Sequence, residues 1–435
     1  MNKSLLAASL ALLVPSAFSA DLLDSWQAAR KADSTFAAAR YARDAGLEKK
    51  EQGAALLKPK VTLSGAAGLV STDTEPGRAR RYNQHSYSLA LTQPLYRIEA
   101  LAGASQQEKQ AALAEIQFRA AEQDLILRVA TAYFNVTLAE EKIRQIDAQK
   151  EAVSQQLAQA KKSFEVGVAT ITDVDAAQAS FDSLLAQEIV AQNDREVKYQ
   201  AYAQLTGLDP KALVQVSDHL QPGAPQPASS DEWIKRAEIS NYALLAQEIG
   251  LDVANHEIDK YKSSTALSAD LVASYGGQWD GTSLAHNYSM NTHNGRVLLQ
   301  LSVPLYTGGN RSSQYREAIA KREQQREVVE TARRDTALAT RRAFLGVQAG
   351  AAQTRALQQA LASSKSLLDS TRLGRDVGVR TIVDVLNAQQ QYHATRYELT
   401  SARYNYLLAR LQLASAVGDL AEKDLQEVNA WLRGN

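Results

Sequence analysis

The chain has 435 residues, and its 48 Lys and Arg balance its 48 Asp and Glu, so the formal net charge is zero. A balanced charge gives no basic surplus for nucleic acid or an anionic membrane surface, and we expect no nucleic-acid partner. The absence of cysteine excludes disulfides, thiolate metal sites, thiol catalysis and an N-terminal lipidated cysteine.

The first residues have the pattern of an export signal. Lys3 precedes an apolar run from Leu5 to Val14, and the small residues Ala17 and Ser19 fit a cleavage site. This pattern predicts a signal peptide over residues 1–19 rather than a membrane helix. No later window approaches the ~20 consecutive apolar residues of a spanning helix, so we expect any membrane crossing to use β-strands.

Two pairs of alternating segments predict two pairs of strands. The first pair covers residues 61–69 and 87–96, with a polar loop over 71–84, and the second pair covers 267–275 and 297–306. Each segment has about the length of a tilted membrane strand. Tyr96 and Tyr306 each follow a proline by two residues. We expect both strands to end there, because proline cannot donate to the ladder, and the tyrosines suit a membrane interface.

A long helical run follows the first strand pair. No proline occurs between Ile98 and Glu165, and a shorter helical segment returns from Asp173 to about Thr206. Heptad spacing of apolar residues predicts a coiled-coil seam, broken only at Lys150. The seam comprises Leu125, Val129, Ala132, Val136, Ala139, Ile143, Ile146, Val153, Leu157, Ala160 and Phe164. A second seam has smaller residues: Ala343, Val347, Gly350, Leu357, Leu361, Ser364, Leu368 and Thr371.

The turn between the two helices of each predicted hairpin occurs twice. Residues 164–178 return as residues 375–389, so the chain is a duplicated unit. In each copy a Val-Gly pair can end one helix at positive φ, and a Thr three residues before an Asp can begin the next with a capping box. We therefore predict a signal peptide (1–19), a first repeat (20–209), a linker (210–230), a second repeat (231–419) and a tail (420–435).

Four strands are too few to close a membrane barrel, since a barrel filled by its own side chains needs about eight. Open edges in lipid would leave backbone groups unpaired, at several kcal/mol each. Other copies of the chain must therefore cover the edges. Three copies give twelve strands and a water-filled barrel, whereas two give a filled barrel. The hairpins favour the wider barrel, because a helix of their length reaches on the order of 100 Å.

Four stretches carry a specific resemblance: residues 132–136, 166–174, 377–386 and 402–407. The sequence closely resembles the TolC family of bacterial outer-membrane channel-tunnels over essentially its whole mature length. The resemblance implies a homotrimer with a twelve-stranded outer-membrane β-barrel, four strands per protomer, continued by a periplasmic α-helical barrel. It also implies a duct in outer-membrane lipid that exports drugs, toxins or proteins. Its partners would be a periplasmic adaptor and an inner-membrane pump, ABC-type or proton-driven.

The resemblance further implies a gate at the hairpin tips, near the periplasmic entrance. Arg380 would bond Thr172 and, across the protomer boundary, Asp173. Arg375 stands where the family usually has a tyrosine, and it could form a second ion pair with Asp173. From the residues alone, Asp173 has a simpler role, because it follows Thr170 by three residues and can cap the return helix.

Two further positions belong to the implied constriction. Asp384 matches the outer member of a pair of aspartates and can also cap its helix, while Asn387 stands at the inner position. One acidic ring in place of two predicts weaker cation selectivity and weaker block by cations. The exposed turns are the implied adaptor-docking tips, formed by Val166, Gly167, Val168, Val377, Gly378 and Val379.

An enzyme is the rival class of protein. The sequence has no nucleophile motif, no phosphate-binding glycine loop and no clustered acid–base set, so we expect no catalytic residues and no cofactor. None of the six histidines has ligand spacing, and we expect no metal site. The remaining alternative is a periplasmic adaptor or a structural coiled-coil protein without a channel. An adaptor would need one hairpin between β-rich domains, whereas this chain alternates two hairpins with strand pairs.

Overall fold

The computed structural model describes residues 20–73, 79–214, 222–262, 266–281 and 289–433. The expected signal peptide lies outside these residues. The first half contains α1 (Leu22–Ala32), α2 (Ser34–Ala55), β1 (Lys60–Asp73), β2 (Ala79–Arg97), α3 (Ile98–Glu165) and α4 (Ile171–Thr206). The second half repeats this order with α5 (Ser230–Ser240), α6 (Tyr242–Tyr261), β3 (Ser268–Asp280), β4 (Met290–Ser302), α7 (Asn310–Asp376) and α8 (Ile382–Val417). Helix α9 (Glu422–Arg433) follows.

The four strands form one antiparallel sheet in the order β1-β2-β3-β4, so the two halves of the chain meet at β2 and β3. Successive side chains point to opposite faces of a sheet. The register therefore places Leu63, Leu89 and Tyr275 in one row on one face. This face is apolar, and its large apolar side chains, apart from the half-buried Leu91, are exposed in the single chain. The apolar face comprises Val61, Leu63, Leu69, Tyr87, Leu89, Leu91, Tyr275, Trp279, Val297, Leu299 and Leu301.

The strands differ from the apolar segments that predicted them. β1 runs to Asp73 and β2 begins at Ala79, so much of the expected loop over 71–84 is strand. Backbone pairing continues there because ladder hydrogen bonds do not require apolar side chains. β2 passes Pro94 with a shift in register and ends at Arg97. β4 ends at Ser302, before Pro304, so the prediction that Tyr306 ends this strand was wrong. Proline lacks the N–H that would have continued the ladder.

The described chain separates into two compact units. One unit contains the sheet, α6, most of α2 and the beginnings of α3 and α7. The other contains α1, α4, α5, α8, α9 and the remainder of α3 and α7. Each unit therefore draws on both halves of the sequence. Among the described residues, no helix is both long enough and apolar enough to cross a membrane.

The α3–α4 hairpin has the predicted seam. Leu125, Val129 and Val136 are fully buried. Nearer the turn, Val153 and Leu157 of α3 pack in one apolar cluster with residues of α4 and α8. Phe164 is the exception and is largely exposed, because α3 ends one residue later. The seam buries apolar surface along most of the hairpin, which is the main source of its stability.

Lys150, the one charged residue in the predicted seam, is accommodated by an ion pair. Its ammonium lies 2.5 Å from the carboxylate of Glu188 on α4 and 3.3 Å from that of Asp147. The charge therefore remains paired where an apolar side chain was expected.

The second hairpin follows its predicted seam only in part. Val347, Ser364, Leu368 and Thr371 are buried as expected. At the other end, Ala351 and Thr354 are buried in place of Gly350. The 3.6-residue helical turn drifts against a strict heptad, which rotates neighbouring positions into the contact. Gly350 is only half-buried but still lets α8 approach closely.

The C-terminal tail is an integral part of its unit, a role that the sequence did not indicate. Leu425, Val428 and Leu432 of α9 are buried. The side chain of Asn429 donates to the Asp21 carboxylate (2.7 Å) and accepts from the backbone N–H of Leu22 (3.3 Å). The first and last described helices are therefore joined by apolar packing and by buried hydrogen bonds.

Candidate functional site

The two hairpin turns have the same backbone geometry. Gly167 and Gly378 both adopt positive φ, at 78° and 81°. The N–H that follows each glycine donates back into the preceding helix, from Val168 to the Ser163 carbonyl and from Val379 to the Gly374 carbonyl, both at 2.9 Å. These bonds satisfy carbonyls at the end of each helix. The predicted role of Val-Gly as a helix end is confirmed in both copies.

The aspartates after both turns cap the return helices. The Thr170 backbone N–H and hydroxyl donate to Oδ2 of Asp173, at 3.0 and 2.8 Å. Thr381 donates in the same way to Oδ2 of Asp384, at 2.9 and 3.0 Å. Both capping boxes are thus confirmed. Within the described chain, Oδ1 of each carboxylate has no hydrogen-bond partner, so capping leaves one oxygen of each group for another contact.

The environment of Asp384 favours its charged form. Hydrogen bonds from the backbone and hydroxyl of Thr381, with the positive charge of Arg380, lower the pKa of Asp384 below its ordinary value of 3.8. A carboxylate at a helix N-terminus is also favoured by the helix dipole. This position therefore carries a negative charge at any physiological pH.

Arg380 is exposed and forms no ion pair with the described part of its own chain. Its side chain starts beside the last turn of α7, where a Cβ on Gly374 would lie only 2.8 Å from Arg380 Cγ. Gly374 therefore leaves room for the arginine, a role that sequence reasoning missed. Thr172 is exposed as well, and one chain does not bring it to Arg380.

Arg375 is bound within its own chain. Its guanidinium lies 2.8 Å from the Asp376 carboxylate and 3.3 Å from the side-chain oxygen of Gln159 on α3. The second contact links the ends of the two long helices α3 and α7. Arg375 can approach Asp173 of another copy only by sharing or leaving these partners.

The valines of the tips are largely exposed. Val166, Val168, Val377 and Val379 expose between 67% and 76% of their surface. Apolar side chains exposed together at both turns are typical of a contact surface for another protein. The tips therefore combine a fixed backbone with an apolar surface.

Comparison with known proteins gives the family of the chain. The model of the outer membrane efflux protein family matches residues 26–208 and 233–419. The chain belongs to this family. The chain is 34% identical to outer membrane protein TolC of Vibrio cholerae over 428 residues. The matched region covers 98% of this chain and 97% of the relative. It is 31% identical to the proteases secretion protein PrtF of Dickeya chrysanthemi, over 99% of this chain and 95% of the relative.

A solved structure shares the fold. The outer membrane protein VceC of Vibrio cholerae superposes with a TM-score of 0.77 at 17% sequence identity, covering 91% of this chain and 96% of that one. The family and the curated relatives identify this chain as an outer-membrane protein that extends into the periplasm and serves as an exit duct. The expected four strands and two long hairpins per chain agree with this fold.

Sequence reasoning also missed a layer of buried amides on α3. Gln145, Gln149 and Gln156 of α3 are each more than nine-tenths buried. Gln156 donates to the side-chain oxygen of Gln389 on α8 at 2.8 Å. Their spacing of four and seven residues gave a signal, because it is the spacing of the apolar seam itself. A second stripe with heptad spacing on one helix indicates a second helical neighbour.

Proposed function

We propose that three copies of this outer membrane efflux protein form one duct, with twelve strands in the outer membrane and the paired helical hairpins in the periplasm. The duct is closed by a gate at the hairpin tips, docks there with a periplasmic adaptor and an inner-membrane pump, and exports drugs, toxins or proteins. It carries out no catalysis of its own. The family name supports the efflux of drugs or toxins, and the relative named for protease secretion supports the export of proteins.

The sheet is the observation that carries the proposal. Its order leaves β1 and β4 with one unpaired edge each in the described chain, and one face is apolar and exposed. Unpaired backbone groups in lipid cost several kcal/mol each, so the edges require partners. A further copy of the same sheet offers β4 to β1, and three copies close a barrel wide enough for water.

The gate follows from the charges at the tips. Among the described residues, Arg380 forms no ion pair within 4 Å, and one oxygen of Asp173 has no hydrogen-bond partner after capping α4. These two groups are complementary and can meet across a protomer boundary, with Thr172 beside them. Three such links close the ring. Arg375 is a weaker candidate, since it already binds Asp376 and Gln159.

The constriction contributes a separate property. Asp384 places one charged ring near the entrance, while Asn387 is exposed but neutral. A single acidic ring attracts cations less strongly than two rings would. We therefore assign ion preference to Asp384 and closure to Arg380.

Cysteine cross-linking tests the assembly, because the natural chain has no cysteine. The test chain carries Leu63→Cys on β1 and Val297→Cys on β4, and a membrane-permeant bis-maleimide is added to native outer membranes. The expected products are dimers and trimers, with nothing larger.

The matched control carries Leu89→Cys and Tyr275→Cys, which lie directly opposite each other on β2 and β3. This pair should cross-link only within one chain and migrate as a monomer. Monomers alone from the β1–β4 chain would contradict the proposal and favour an adaptor or a structural coiled-coil protein.

A further inference from the structure

A cavity of about 510 Å³ lies among α3, α4 and α8. Its volume is within the range of small-molecule sites. Its polar lining from α3 comprises Lys142, Gln145 and Gln149, and its polar lining from α4 comprises Ser183 and Gln187. Helix α8 contributes the polar side chains of Asn387, Gln389, Gln390, Tyr397 and Glu398.

Two side-chain amides in the wall of the cavity each hold one buried polar atom without a partner among the described residues. Gln389 is only 2% exposed, and its side-chain oxygen accepts from Gln156, but its Nε2 has no hydrogen-bond partner in the described chain. Gln145 is 7% exposed, and its Oε1 likewise has none. A buried polar atom left unpaired costs free energy, so each requires an explanation. Both atoms lie beneath the cavity surface with almost no accessible area, so they are not contacts for an occupant.

The cavity also contains an unpaired cation. The Lys142 ammonium lies 4.7 Å from the centroid of the Tyr397 ring and forms no ion pair with the described residues. Burial lowers the pKa of Lys142, as expected for an ammonium without a nearby carboxylate. The one acid that lines the cavity, Glu398, is exposed. An anion entering the cavity would restore the missing partner of the ammonium.

The end of the cavity nearer the tips is apolar. Val153, Leu184 and Leu386 line it, and the same side chains belong to the apolar cluster that joins α3, α4 and α8. The cavity therefore offers an apolar floor, amide walls and one ammonium. Pockets of this kind bind ligands by apolar contact and orient them with a few polar groups.

We propose that this cavity binds a small organic carboxylate with an apolar body. Its carboxylate would accept from the Lys142 ammonium, and its apolar part would pack on Leu184 and Leu386. The bound molecule would touch α3, α4 and α8 at once. It would therefore stabilise the packing of α8 on the α3–α4 hairpin by mass action. The proposal does not depend on the gate or on the docking tips.

Benzoate and benzamide form a matched pair of probes, since they share the ring and differ in charge. Each is titrated into the full mature chain in detergent, with saturation-transfer NMR measuring the dissociation constant and thermal unfolding as a second readout. We expect saturable binding of benzoate, tighter than that of benzamide, and a rise in Tm with benzoate. Lys142→Gln should weaken benzoate binding about tenfold, the usual worth of a charge-assisted hydrogen bond, and leave benzamide binding unchanged.

Two variants complete the test. Asn387→Asp keeps the size of the side chain but adds a negative charge to the lining, and it should also weaken benzoate binding. Lys161→Gln removes an exposed lysine of the same helix outside the cavity and should change nothing. The proposal is overturned if benzoate shows no saturable binding, or if it binds equally to the Lys142→Gln and Lys161→Gln variants.

Discussion

At the scale of single residues, the capping geometry of Asp173 and Asp384 leaves room for the proposed gate contacts. Each carboxylate uses one oxygen for its own helix, and within the described part of the chain the other has no hydrogen-bond partner. The residue type alone does not distinguish a cap from a gate at Asp173, because a carboxylate can serve both roles. The capping role depends on local spacing and could be predicted. A contact across protomers could be suggested only by resemblance, because it depends on a second chain.

The hydrogen bonds of Asp384 predict how ion selectivity responds to pH. A lowered pKa keeps the carboxylate charged as pH falls to 3.8, and the charge is lost only when pH falls below that lowered value. Thr381→Val removes the hydroxyl donor, so the pKa of Asp384 should rise and cation preference should fade at a higher pH. Reversal potentials in planar bilayers between pH 3 and 6 measure this. Asp384→Asn is the control and should show weak, pH-independent preference. Identical titrations of the wild type and Thr381→Val would contradict the prediction.

Arg380 predicts a change in conductance. An exposed ion pair contributes about 1 kcal/mol or less, so closure needs all three symmetry-related links. Arg380→Ser should therefore raise the single-channel conductance several-fold in planar bilayers, and Arg375→Ala should add a smaller increase. Arg380→Lys retains the charge and should stay closer to the wild type. If Arg380→Ser conducts like the wild type, the lock lies elsewhere, and the contact of Arg375 with Asp173 becomes the next candidate.

At the scale of elements, the ion pair in the α3–α4 seam gives a stability prediction. Glu188 is mostly buried beside Lys150, and a buried charge without its partner is costly, whereas an apolar pair of similar size is often tolerated or better. Lys150→Leu alone should lower Tm, because it leaves the Glu188 carboxylate without its cationic partner. Lys150→Leu with Glu188→Leu should recover the wild-type Tm or exceed it. Thermal unfolding of the two variants measures this, and a double variant less stable than the single one would refute it.

The elements could largely be predicted from the sequence because each has one dominant period. The α3 seam and the alternating strands bury or expose one face, and that constraint appears directly in the residue spacing. Strand ends were less predictable, since ladder pairing beyond Leu69 depends on backbone and not on side-chain polarity. The α9 packing could not be predicted, because it depends on which distant helices meet, and the spacing of the buried amides indicates a second helical neighbour without identifying it. Asn429 and Gln389 give no sign of their partners from local sequence.

At the scale of the whole molecule, the proposed docking requires that the tips bind another protein without disturbing the assembly. The turn glycines tolerate substitution sterically, since a Cβ on Gly167 or Gly378 would meet nothing within 4 Å. Both are at positive φ, which Asn and Asp adopt more readily than other residues. A comparison of Asp with Asn at these positions therefore isolates charge from backbone strain.

Docking by the tips predicts that charge there abolishes export. Gly167→Asp or Gly378→Asp would place an unpaired carboxylate among exposed valines, and burying it against an adaptor would cost free energy that the neutral Asn does not incur to the same extent. We expect both Asp variants to form normal trimers but to lose export, and both Asn variants to retain it. The measurements are drug susceptibility and secreted-protein profiles of a deletion strain that expresses each variant. Normal export by both the Asp and the Asn variants would place the docking surface away from the tips, because trimer assembly and backbone geometry are matched between them.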